Sequence, residues 1–178
     1  SHICLKDIAI PTSAPTVTYA PTVTPGPTTS APTPRPSVLN LALTDKLIAS
    51  DDSSHDNFGY SVAISGDTIV IGAPYEDAYY SDQGSVYVFR RSDGSTTYTQ
   101  VAKLKASDGY SQDYFGWSVA IQGNTIMVGA REDNYDRGSV YVFRTTDGGA
   151  TYVQMARLWA SDAYNDDNFG RSVAMDGD

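Results

Sequence analysis

Along residues 61–106 the apolar positions fall into four short runs separated by polar turns. The first two, "SVAI" (61–64) and "TIVIGA" (68–73), meet across Ser65-Gly66-Asp67. Glycine beside Asp or Asn in so short a connection signals a hairpin. A longer acidic loop leads to "GSVYVFR" (84–90), and Asp93-Gly94 marks a turn into "TYTQVAKLKA" (97–106). The pattern predicts four consecutive antiparallel strands. "TIVIGA" and "SVYVF" are apolar at successive positions, which predicts strands covered on both faces. The fourth run carries Gln100, Lys103 and Lys105 and is expected nearer water. No stretch sustains the 3.6-residue period of an amphipathic helix.

The pattern recurs. "KLIASDDSSHDNFGYSVAISGDTIVIGAP" begins at Lys46, "KLKASDGYSQDYFGWSVAIQGNTIMVGAR" at Lys103 and "RLWASDAYNDDNFGRSVAMDGD" at Arg157. The Phe-Gly pairs at 58–59, 115–116 and 169–170 are spaced 57 and 54 residues apart, the difference being a three-residue insertion in "PYEDAYYSDQGS" relative to "REDNYDRGS". A repeated four-stranded antiparallel unit with buried inner strands and a wetter outer strand describes a β-propeller blade. The unit exceeds the ~40–45 residues of a WD40 blade and lacks its Trp-Asp, and it lacks the paired glycines of kelch units.

These residues resemble the FG-GAP repeat of integrin α-subunit propellers and their microbial and algal relatives. The resemblance covers residues 40–178 and rests on Phe58, Gly59 and Gly72, then Phe115, Gly116 and Gly129, then Phe169 and Gly170, with "GSVYVF" at 84–89 and 138–143. It implies an all-β fold of propeller-type blades and a role in extracellular adhesion. That family also carries a calcium loop of the type D-x-D-x-D-G between its first two strands. Here the place is held by "ISGDTI", "IQGNTI" and "MDGD", too short and too poor in carboxylates for an ion that takes six to eight oxygens.

The phase of the repeats adds an expectation. "NLALTDKLIA" (40–49) aligns with the fourth strands, and "SVAMDGD" stops in the turn after a first strand at Ser172–Met175. About two and a half blades are present, whereas four to eight blades need roughly 220–440 residues. The 178 residues are therefore expected to be one end of a longer protein. Their open strand edges are expected to favour self-association.

Three segments follow: a tail (1–10), a Pro/Thr/Ser-rich stalk (11–37) and the repeats (38–178). The stalk holds eight of the nine prolines and reads "APTVT" twice. Proline favours extended polyproline II there, and hydroxyl-rich tracts with proline are typical of O-glycosylated stalks, a bare linker being the alternative. Thr12, Thr16, Thr18, Thr22, Thr24, Thr28, Thr29 and Thr33 are the candidate acceptors.

Charge and chemistry narrow the function. The formal net charge of −9 repels phosphate backbones and disfavours nucleic acid as a partner. No apolar run approaches the ~20 residues of a membrane-spanning helix. The chain begins at Ser1 without a charged and apolar leader, which fits either a cleaved signal peptide or a shortened chain. Cys4, the one cysteine, is an inert thiol, a link to another chain or half of a pair beyond this stretch. With His2 and His55 as the only histidines, no nucleophile–base set can be assembled, so no enzyme activity is expected.

Two sets of loop residues remain. Acidic clusters precede each Phe-Gly, with Asp51, Asp56, Asp108, Asp113, Asp162 and Asp167 as candidates for weak divalent-ion (Ca²⁺) binding. The competing reading is solvated turns whose carboxylates cap backbone N–H groups. The aromatics Tyr79, Tyr80, Tyr110, Trp117, Tyr135 and Trp159 either pack between blades or form a contact surface for protein or carbohydrate. The sequence thus predicts an adhesion or scaffold protein that binds through propeller loops. The alternative is an accessory propeller of a larger secreted enzyme whose catalytic domain lies beyond residue 178.

Overall fold

The computed structural model describes residues 46–51, 53–92 and 95–176. The tail, the stalk and its candidate threonines lie outside the described residues. The fold is all-β. The first sheet runs β1 (Ser61–Ser65), β2 (Thr68–Ala73), β3 (Ser85–Arg91) and β4 (Tyr98–Leu104), and the second runs β5 (Phe115–Gln122), β6 (Thr125–Ala130), β7 (Ser139–Arg144) and β8 (Val153–Leu158). Each is an antiparallel meander in chain order.

The hairpins close where glycine permits. Ser65 pairs with Thr68 and Gln122 with Thr125, leaving two-residue turns in which Gly66 and Gly123 take φ of 56° and 53°. Both sheets carry the same irregularity. The register slips between Val88 and Phe89 and between Val142 and Phe143, so Val101 and Met155 are extra residues that face solvent. One helical turn, Asp133–Asp136, interrupts the β6–β7 connection, and Asn134 and Tyr135 adopt left-handed φ/ψ within it.

The doubly apolar strands are covered on both sides. From the first sheet Val70, Val86 and Val88 pack against Phe115, Ile126, Val128, Tyr141 and Phe143 of the second. Ile71, Tyr87 and Phe89 point the other way and gather Ala49, Leu47 and Phe58. Each large apolar side chain so buried contributes about 1.5–3 kcal/mol. The outer strand β4 is wetter, as expected, but β1 is half-exposed as well. A first strand is an edge, and Val62 and Ile64 face solvent there.

Two expected strands differ. Residues 46–49 form no strand, the rest of the 40–49 run lying outside the described residues, and Ser172–Met175 is irregular. A strand persists only when a neighbour takes its N–H and C=O groups, and no ladder involving either segment occurs among the described residues.

Candidate functional site

Alternation of strand direction puts the connections at two ends of the sheets. The β1–β2, β3–β4, β5–β6 and β7–β8 turns lie at one end. The β2–β3, β4–β5 and β6–β7 loops lie at the other, with the segments that precede β1 and follow β8. The motif residues, the acidic clusters and the aromatics all belong to this second end.

The Phe-Gly and Gly-Ala elements meet at the seam between sheets. The Ser61 hydroxyl donates to the Gly116 carbonyl at 2.8 Å, and Ser118 donates to that of Gly170 at 2.7 Å. A Cβ on Gly72 would lie 2.1 Å from the Gly116 oxygen, and one on Gly129 1.9 Å from that of Gly170. Gly84 and Gly138 are equally pressed, against the backbone of Phe115 and Phe169. Phe115 N–H donates to Gln83 C=O at 3.0 Å and Phe169 N–H to Arg137 C=O at 2.8 Å. The Phe ring then seats on its own blade: Phe115 on Tyr141 and Phe143, Phe58 on Tyr87 and Phe89. Phe115 is fully buried, Phe58 half-buried and Phe169 more exposed. The difference follows from the neighbours, because only Phe115 lies between two sheets. Gly59 shares the φ of Gly116, 94°, but has nothing within 4 Å of a built Cβ. Of these two glycines, only Gly116 has backbone close by, the Ser85 oxygen at 2.7 Å from a built Cβ.

The carboxylates divide into two kinds that look alike in sequence. Asp51 and Asp108 anchor a charge network repeated in each blade. Lys103 Nζ lies 2.6 Å from Asp51 and 2.6 Å from Glu76, and Tyr87 OH donates to Asp51 at 2.9 Å. In the second blade Arg157 reaches Asp108 and Asp133, each at 2.6 Å, and Tyr141 OH donates to both carboxylates at 3.0 Å. Burial pulls the Lys103 ammonium down, yet Asp51 and Glu76 outweigh it and the net shift is upward. Burial pushes the Tyr87 and Tyr141 phenols well above their usual range.

Asp56, Asp113 and Asp167 do local work. Each accepts the backbone N–H three residues earlier, from Ser53 at 3.1 Å, Tyr110 at 2.5 Å and Tyr164 at 2.7 Å. Burial raises Asp113 to about 6, against the lowering effect of the Tyr110 N–H, with Asp133 adding to the rise. Asp162 is exposed in a turn. Among the described residues no three His, Cys, Asp or Glu side chains are grouped to hold a metal ion. In the β1–β2 turn Asp67 is engaged by Arg91, with Nε at 3.0 Å. Among the described residues, the β1–β2 and β5–β6 turns do not offer the set of carboxylates a calcium ion takes.

The aromatics also divide. Trp117 stacks at 4.5 Å on Tyr60 and under Arg131 at 3.9 Å, bridging the sheets. Tyr80 and Tyr110 stack at 4.8 Å, and Tyr79 lies under Lys105. Tyr79, Tyr110, Tyr135 and Trp159 are exposed, as is Tyr164, which sequence reasoning missed. A cleft of about 470 Å³ opens between Tyr110–Asp113 and Glu132–Asp136, with Arg157 in its wall. Every exposed aromatic side chain among the described residues lies at this end. At the opposite end, in the β7–β8 connection, Asp147 accepts Ala150 N–H at 3.0 Å and Thr151 N–H at 2.9 Å, and its hydrogen bonds with Thr151 hold its carboxyl far below the usual range.

Sequence reasoning also missed Gln100 and Gln154. Gln100 accepts from Ser50 N–H at 2.9 Å and donates to the Ser50 hydroxyl at 3.0 Å, and Gln154 does the same to Ser107. Their equivalent places in the two fourth strands were the available signal.

No helix among the described residues is long and apolar enough to cross a membrane. Among curated proteins no relative matches the chain. The family model described as FG-GAP repeat matches residues 42–89, 98–143 and 152–178, most of the sequence. Those segments contain the seam glycines and phenylalanines, and the chain belongs to the FG-GAP repeat family.

Proposed function

We propose that this protein is an extracellular, non-enzymatic adhesion or scaffold protein whose loop end binds a protein or carbohydrate partner. One observation carries the reading: the exposed aromatic side chains among the described residues all gather at one end of the sheets. Tyr and Trp offer large, stiff contact area at low entropic cost and dominate binding hot spots. Three ionisable groups of the loop end, Lys103 and Arg157 with their carboxylates and Asp113 with its turn, are engaged in holding the fold. FG-GAP repeats are typically carried by extracellular proteins, and the Pro/Thr stalk suits presentation away from a surface, with O-linked sugars on its threonines.

The full chain, fluorescently labelled, tests the reading on a glycan array and on the surface of its own cells. Replacing Tyr79, Tyr110 and Tyr135 together by Ser should abolish binding while leaving the melting temperature within a few degrees. Replacing Thr151, at the opposite end, should leave binding intact. Unchanged binding by the triple variant would overturn the assignment of the face.

A further inference from the structure

Two tyrosines of the loop end differ from the rest. Tyr135 is 78% exposed and Tyr164 76%. Tyr79 lies beneath Lys105, and Tyr80 and Tyr110 cover one another. Among the described residues the Tyr135 and Tyr164 rings stack on no aromatic and meet no cation, and their hydroxyls make no hydrogen bond. Left-handed backbone at Asn134, Tyr135 and Asp136 turns the chain sharply at Tyr135, on the rim of the cleft. Along the chain each ring is flanked by acid: Glu132, which pairs with Arg131, and Asp136 beside Tyr135, with Arg137 following, and Asp162 and Asp166 beside Tyr164. Asp136, Asp162 and Asp166 enter no ion pair among the described residues. A free phenol in an exposed acidic turn has the form required of an acceptor for a transferase with a basic active site. Enzymes that bind polyanionic group donors have such sites, and opposite charge draws acidic segments to them.

We propose that Tyr135 and Tyr164 are acceptors for enzymatic O-sulfation. The phenol oxygen attacks the sulfur of phosphoadenosine phosphosulfate. A new O–S bond forms as the S–O bond to the donor's phosphate breaks, adenosine bisphosphate leaves and the phenolic proton passes to a base of the transferase. The products are two fixed anions at the loop end, which would favour a cationic partner. The inference rests on the extracellular reading, because this transfer takes place along the secretory route. Tyr87 and Tyr141 are internal controls. They too lie beside carboxylates, but they are fully buried and hydrogen-bonded to Asp51 and to Asp108 and Asp133.

Two arms test it. In the first, the full folded chain is incubated with a tyrosylprotein sulfotransferase and labelled phosphoadenosine phosphosulfate, and the peptides are mapped. Label should appear on Tyr135 and Tyr164 and not on Tyr87 or Tyr141. The pair Glu132→Gln and Asp136→Asn should slow labelling of Tyr135 several-fold and leave Tyr164 unchanged. No label on either tyrosine, or no effect of removing the acids, would overturn the proposal. In the second arm, protein from its own cells is located and mapped. Extracellular protein carrying an acid-labile, phosphatase-resistant ester on Tyr135 supports the proposal. Extracellular protein with a bare or phosphorylated Tyr135 sinks the proposal and leaves the binding reading standing. Protein retained in the cytosol sinks both.

Discussion

Replacing Gly72 by Ala tests the seam most sharply, because two effects of opposite sign compete there. Gly72 sits inside β2 without a positive φ, so its backbone suits any residue. In an open strand, alanine would be worth about 0.5–1 kcal/mol more than glycine. Here the added Cβ would lie 2.1 Å from the Gly116 oxygen and 2.3 Å from the Ser61 hydroxyl. Ser61 can swing aside, at the loss of its 2.8 Å hydrogen bond to the Gly116 carbonyl, which costs about 1 kcal/mol. The carbonyl cannot move without shifting the second sheet, and overpacking of that kind costs about 1–3 kcal/mol. The expected net effect is a loss of about 1–3 kcal/mol, read as a lower urea midpoint with an unchanged slope. The paired comparison is Gly59→Ala against Gly116→Ala. Both have φ of 94°, but only Gly116 has a neighbour in the way, the Ser85 oxygen at 2.7 Å. Gly59→Ala should cost only the backbone penalty, about 1–2 kcal/mol, and Gly116→Ala more. A Gly72→Ala chain as stable as its parent, or equal costs at Gly59 and Gly116, would refute the argument.

Three further outcomes are expected. Phe115→Ala should cost about 3–5 kcal/mol in urea unfolding, and Phe58→Ala clearly less, because among the described residues its ring packs on its own blade and is only half-buried; equal costs would count against the inter-sheet placement. Asp113 titrates near 6 in the folded chain, above its unfolded value, so the native state holds the extra proton between about pH 4 and 6 and stability falls as pH rises through that window; Asp113→Asn, which keeps an oxygen for the Tyr110 N–H, should melt higher than the parent at pH 7 and lose that advantage at pH 4. Arg157→Lys and Asp133→Glu should each destabilise alone but recover together, with a coupling of about 0.5–3 kcal/mol in a double-mutant cycle, because the first blade already pairs Lys103 with Glu76.

The strands were legible because their signals are local. Gly66-Asp67 and Gly123-Asn124 fix the hairpins, and the unbroken apolar runs of β2 and β3 announced their double burial. The repeat itself was legible because Leu47 and Phe58, Leu104 and Phe115, and Leu158 and Phe169 all keep a spacing of eleven positions. Burial of Phe58 against Phe115 was not legible, since it depends on the neighbouring sheet and not on the repeat that contains the ring. Nor was the role of Asp51 separable from that of Asp56. The partner of Asp51 is Lys103, fifty-two residues away, whereas Asp56 serves Ser53, three residues away. A signal did exist: Asp51, Glu76, Tyr87 and Lys103 stand at the same repeat positions as Asp108, Asp133, Tyr141 and Arg157.

The two networks also show where the repeats are free to differ. A shorter cation with a longer anion, Lys103 with Glu76, occupies the place of a longer cation with a shorter anion, Arg157 with Asp133. The span is preserved while the members change, as expected where unpairing a buried charge is costly. At the seam even this freedom is lost, because Gly72, Gly84, Gly129 and Gly138 face backbone that cannot yield. The three-residue insertion lies in the β2–β3 loop, after the Ala73 that pairs with Ser85 and before the Gly84 that meets Phe115. It therefore lengthens the loop end and leaves both contacts of the seam in register. The turns at the opposite end keep two residues between β1 and β2 and between β5 and β6. The length difference between the two repeats thus falls at the end that carries the exposed tyrosines, which is where a repeat protein can change what it binds without changing how it folds.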